Sequence, residues 1–175
     1  MTTTEATVAG VAAVIAFWIV GAYNRMVRLR SDLAARFATV DDRYKQRHAL
    51  LERQIELLST ALATAAPRLD ALRAACRQAD AAREHARVRP GAASAVTSLR
   101  VAEEILVDAR SRVPVQSVAG VDLPDLNAKL ATSDTALQFA RNEFNGAVAL
   151  YNEAVRQFPT VLVARLFGFR AAALF

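Results

Sequence analysis

The sequence predicts an all-α protein: an N-terminal transmembrane helix continuous with an antiparallel four-helix bundle of long helices. Three observations lead there. The chain opens on a charge-free apolar run, an apolar stripe at helical spacing follows it, and Pro and Gly then divide the remainder into helix-length pieces. No stretch shows the apolar–polar alternation of strands, and the abundant alanine favours helix.

The run is "ATVAGVAAVIAFWIVGAYN", residues 6–24. Its 19 residues would reach ~28 Å at ~1.5 Å each, close to a bilayer's hydrocarbon thickness. Trp18 and Tyr23 fall toward its end, as interfacial aromatics do. A cleaved signal peptide would need a basic start, and "MTTTE" carries Glu5 instead, so the segment reads as an uncleaved, single-pass anchor. Arg25, Arg28 and Arg30 follow the span and no basic residue precedes it. Basic flanks stay on the cytoplasmic side, so residues 1–5 are expected outside and the bulk of the chain inside. The three arginines would also meet anionic headgroups favourably.

Beyond the span comes the stripe Leu29, Leu33, Phe37, Val40, Tyr44, His48, Leu51, Ile55, Leu58, Leu62. Its mean step is about 3.67 residues, nearer the straight helix at 3.6 than the 3.5 of a left-handed coiled coil. No Pro or Gly interrupts residues 22–61, so span and stripe are expected to form one helix ending before Pro67. His48 lies on the stripe and reads as an ordinary satisfied or edge-exposed histidine.

A second helix is expected from Pro67 to Val88, with Leu69, Leu72, Cys76, Ala79 and Arg83 at 3/4 spacing. Pro90-Gly91 marks a turn. A third helix is expected over Ala92–Val113, with Val96, Leu99, Leu106 and Val113 inward. The segment with Pro114, Gly120 and Pro124 reads as a loop. The last long helix should start near Pro124–Asp125, where Asp complements the positive helix end, and run to Phe158 before Pro159. Its inward residues are Leu126, Leu130, Leu137, Phe144, Val148, Tyr151, Val155 and Phe158. Residues 25–158 would thus be a cytoplasmic bundle. Up-down-up-down connectivity returns residues 159–175 toward the bilayer. That tail, with Arg165 and Arg170, is too basic and too short for a second span, and it should dock on the bundle or at the membrane interface. The shorter middle helices cover only the distal part of the outer pair, leaving membrane-proximal apolar surface for a partner or for self-association.

The net charge of +5 invites a nucleic-acid reading. Arginines and acids are nevertheless interleaved along the helices, and stacking aromatics are absent among them. A single cysteine excludes an intrachain disulfide. No Glu-x-x-His occurs, which removes the di-iron bundle motif. Glu103, Glu104 and Asp108 look like a solvated helix face. No catalytic residue, metal site or cofactor is expected.

Several segments are similar to the LemA family of bacterial membrane proteins. The matching pieces are "YNRMVRLRSDL" after the span, "LPDLNAKLATSDTALQFARNEFNGAVALYNEAVRQFP" and the closing "LVARLFGF". The strongest points are Tyr23-Asn24, Pro124-Asp125-Leu126, Ala140-Arg141, Phe144-Asn145, Tyr151-Asn152, Phe158-Pro159 and Phe167-Gly168-Phe169. "HALLERQIELL" departs from the family's usual run, and the middle helices show little likeness. The resemblance implies an N-out anchor in the bacterial inner membrane, a cytoplasmic helical bundle and no settled enzymatic activity. Asn145 and Asn152, seven apart on one helix face and each following an aromatic, read either as register-fixing polar positions or as ordinary interhelix bonds. The expected role is a membrane-tethered scaffold for membrane or cytoplasmic proteins, with self-association open. Binding of lipid or nucleic acid through basic helix faces is the alternative, and an enzymatic bundle stands behind both.

Overall fold

The computed structural model describes residues 3–61, 66–113 and 123–175. Helix α1 spans Thr3–Ala61, α2 Ala66–Val88, α3 Ala93–Ser111, α4 Leu123–Arg156, and a short α5 Thr160–Leu166. All described regular structure is helical, and α1 crosses the expected membrane boundary without a break, as a stretch with no Pro or Gly from residue 22 to 61 allows. The loop expected at residues 114–122 and the stripe's last member, Leu62, lie outside the described residues.

Burial divides α1 into two parts. Val8, Val11, Val14, Ile15 and Phe17 are all exposed, and the apolar window near the N-terminus has no protein packed on it. From Met26 onward the stripe turns inward: Leu33, Phe37, Val40, Tyr44, Leu51, Ile55 and Leu58 are buried. One helix therefore passes from a face that water would not solvate favourably into the protein's own core.

Pair distances give the topology. On α1 and α4, Arg36 meets Glu143 at 2.9 Å, the Phe37 and Phe144 rings meet edge-on at 5.6 Å, and Gln54 meets Asn127 at 2.9 Å. One number rises as the other falls, so α1 and α4 are antiparallel. Asp41–Arg83 and His48–Asp80 give the same sense for α1 and α2. Helix α3 packs on α2 through the small face of Ala95, Leu99, Ala102 and Leu106. Among the described residues its backbone does not approach α4, and long side chains bridge the two instead. The bundle is open along that seam, where Arg47, Glu103, Val107 and Arg141 line a cavity of about 530 Å³.

Two expectations are corrected at the end of α4. The helix stops at Arg156, and Phe158 is exposed rather than inward. Pro159 has no N–H to extend the helical ladder and restricts the residue before it, so the chain turns into α5 at this point. The membrane-proximal apolar surface expected to be free is covered in part by the chain itself: α5 packs on α1 and α4, and the segment after it folds back along α4.

Candidate functional site

The sequence-selected residues gather at two places near the start of the bundle. At the first, Tyr23 closes the apolar run 6–24. Its ring lies 4.9 Å from that of Phe167 and 5.8 Å from that of Phe169. Gly168 between them has a φ of +71°, a left-handed conformation that glycine adopts without steric cost. The aromatic pair thus brackets a sharp turn packed on Tyr23. Asn24, Arg25, Arg28 and Arg30, which follow Tyr23 on α1, are exposed.

At the second, α4 clamps the segment that follows. The Asn152 amide donates to the Ala172 carbonyl at 2.9 Å and accepts from the Ala172 N–H at 2.8 Å. Asn145 accepts from the Phe175 N–H at 2.9 Å, and its amide donates back at 3.5 Å. Seven helical residues rise ~10.5 Å, and three extended residues cover ~10 Å, so the two asparagines match the repeat of an extended strand. Their partner is the backbone of this chain's own tail rather than another helix. Tyr151 is buried beside them, and burial holds its phenol above the usual range.

Gly91 completes the clamp from the α2–α3 turn. Its carbonyl accepts from the Ala173 N–H at 2.8 Å, and its φ is +81°. A Cβ there would stand 2.8 Å from the Ala172 Cβ, too close for either to stay in place. Phe175 then lies against Phe144 at 5.2 Å and Phe37 at 6.3 Å, with the Arg141 guanidinium 5.5 Å above its ring.

Deeper in the bundle is a charged layer that sequence reasoning missed. Glu103 is buried, not solvated: Arg47 Nη2 donates to both carboxylate oxygens at 2.6 and 2.5 Å, and Arg141 reaches it at 3.4 Å. Arg141 Nε also donates to the Tyr44 hydroxyl at 3.1 Å. Burial, reinforced by the nearby Glu103 charge, pushes the Tyr44 phenol up to about 12. Asp134 joins the layer at the rim, 2.8 Å from Arg110. On the α2 side, Asp41 receives Arg83 at 2.5 Å and Lys45 at 2.7 Å. Burial alone would raise the Asp41 carboxyl, but those two donors hold it below its usual value. Glu104 and Asp108 do stay exposed. Glu103 sits one position away from the exposed Glu104, and only the apolar spacing Val96–Leu99–Leu106 signals which of the two turns inward.

His48 is buried and its Nε2 has no partner, which corrects the satisfied or edge-exposed expectation. Its Nδ1 lies 3.7 Å from Asp80. Burial first, and then the neighbouring Arg47 charge, lower its pKa and favour the neutral ring. Burial also raises the Cys76 thiol to about 11, leaving it protonated and a poor nucleophile near neutral pH. Among the described residues no group of three His, Cys, Asp or Glu side chains is placed to hold a metal ion.

What this geometry can do is bind, brace and orient; the polar layer is organised as mutual ion pairs. A family model described as the LemA family matches residues 36–175. No curated protein and no solved structure matches the chain. The family match spans most of the sequence and includes the asparagine clamp, the buried arginine layer and the closing Phe-Gly-Phe turn. The chain belongs to the LemA family.

Proposed function

We propose that this protein is a membrane-tethered interaction or scaffold module, anchored by residues 6–24 in the bacterial inner membrane with its bundle in the cytoplasm. The observation carrying this reading is the change in burial along the unbroken α1: an apolar, unpacked first third leads into a stripe that forms the core. A rigid helix shared between bilayer and bundle would hold the bundle at a fixed height, as a platform for assembling other proteins requires. The exposed Phe139 and Leu150, three turns apart on the outer face of α4, supply apolar surface for such a partner or for a second copy.

Electrostatics favours this over nucleic-acid binding. Arg36, Arg47, Arg83, Arg110 and Arg141 are each paired with a carboxylate of the fold, so much of the positive charge is neutralised within the bundle. The test is crosslinking and capture from native membranes, comparing the full chain with a form lacking residues 1–24. Capture of the same membrane proteins, lost with the anchor, supports the tethered scaffold. Failure to capture any membrane protein, together with ligand binding or turnover by the soluble form, would replace it with a pocket-based function.

A further inference from the structure

Helix α5 reads "TVLVARL", apolar on almost every side. A helix that is hydrophobic all round needs apolar surroundings all round. Only one side has them here: Thr160, Val163 and Ala164 are buried against the bundle, while Leu162 and Leu166 are 57% and 74% exposed. Phe158, just before α5, and Phe167, just after it, are exposed as well. Four large apolar side chains at α5 and its two ends are thus uncovered.

The position of α5 identifies the covering. Phe167 packs on Tyr23, the residue that closes the apolar span, so α5 sits at the height where α1 leaves the bilayer. Arg25 and Arg28 on α1, with Arg165 and Arg170 flanking the Phe-Gly-Phe turn, are exposed around the same level. An apolar face rimmed by arginines, continuous with a membrane span, has the chemistry of an interfacial element on anionic lipid.

We infer that α5 is a second membrane contact: Phe158, Leu162, Leu166 and Phe167 immerse in the interface beside the anchor, and the four arginines engage anionic headgroups. The Tyr23–Phe167–Phe169 cluster locks α5 to α1, and the asparagine clamp holds the following segment to α4. The bundle is then fixed to the bilayer at two points rather than swinging from one helix. A single anchor leaves rotation about its own axis free, and a second contact beside it removes that freedom. The inference rests on the anchor reading above.

The test places single nitroxides on the full chain in a Cys76→Ala background, reconstituted into vesicles of phosphatidylcholine and phosphatidylglycerol. The labelled sites are Leu162→Cys, Leu166→Cys, Val14→Cys in the span and Phe139→Cys on the outer bundle. Collision with oxygen reports hydrocarbon, and collision with a water-soluble nickel chelate reports solvent. Residues 162 and 166 should shift toward oxygen and away from nickel relative to 139, with 14 the most immersed. The immersion at 162 and 166 should decrease in pure phosphatidylcholine and with Arg165→Glu/Arg170→Glu. If 14 is immersed while 162 and 166 match 139, α5 is not a membrane element and the anchor stands. If 14 itself is solvent-exposed, both fall. Spin–spin broadening at 162 that disappears on dilution with unlabelled chain would assign the face to a second copy and overturn the lipid assignment. Equal immersion in neutral vesicles would remove the anionic headgroups from it.

Discussion

Asn152 and Ala172 exchange two hydrogen bonds, with the side-chain amide of one pairing to both backbone groups of the other at 2.9 and 2.8 Å. An asparagine here acts as a short length of strand edge, and Asn145 repeats the device at Phe175.

Replacing Asn152 by Leu removes both donor and acceptor while leaving the Ala172 groups half-buried without partners. A loss of about 1–3 kcal/mol is expected for such groups. Urea unfolding of the detergent-solubilised chain should show it, and amide exchange at Ala172 and Phe175 should accelerate more than exchange in the core of α4. Unchanged protection of those two amides would mean that other contacts hold the tail.

Gly91→Ala should cost about 1–2 kcal/mol from the left-handed backbone, with the Cβ clash against Ala172 added. Ala172→Gly in the same chain should recover the clash but not the backbone cost. The double-mutant cycle separates the two contributions. Full additivity would show that the two residues do not press on each other.

Glu103→Ala leaves Arg47 buried without its carboxylate. Breaking a buried pair from one side typically costs about 3–5 kcal/mol. Arg47→Met combined with Glu103→Leu should instead recover most of that loss, because the buried Arg47 charge leaves with its partner while Arg141 loses only its longer 3.4 Å contact and keeps Tyr44. Chemical denaturation of the parent and the two variants checks this, and a double variant as weak as Glu103→Ala would point to a structural role for the charges beyond pairing.

His48 predicts the acid limb of stability. Its folded pKa lies below the ordinary 6.5 because burial and Arg47 disfavour the charged ring. Below about pH 6.5 the unfolded chain therefore takes up a proton that the folded chain resists, and stability falls with pH until the folded pKa is passed. Tyr44, Glu103, Asp80 and Arg83 also act on the ring, and Glu103, then Asp80, oppose the shift only partly. His48→Gln should flatten the change in Tm between pH 7.5 and 5.5, and a slope equal to the parent's would assign it to other groups. The depressed Asp41 carboxyl adds a loss only as pH falls below its ordinary value of 3.8.

Most of the architecture was legible because it is local. The stripe from Leu33 to Leu58 is periodic, Pro67 and Gly91 punctuate it, and an apolar run of bilayer length needs no tertiary information. What escaped was decided by tertiary pairing. Glu103 and Glu104 are adjacent and chemically alike, yet only Glu103 meets two arginines from α1 and α4. Asn145 and Asn152 were visible as a spaced pair, but their partners lie 30 and 20 residues on, in an irregular tail whose return no periodicity announces. The exposed Phe158 shows the same limit: the stripe would bury it, and the turn at Pro159 takes it out.

Impermeant maleimide labelling of single cysteines in intact spheroplasts, in a Cys76→Ala chain, tests the central claim most directly. Thr4→Cys should label from outside, Phe139→Cys only after the membrane is opened, and both chains should stay with the membrane after alkaline extraction. Labelling of Phe139→Cys in sealed spheroplasts, or release of the chain by alkali, would contradict a cytoplasmic bundle held by an N-terminal span.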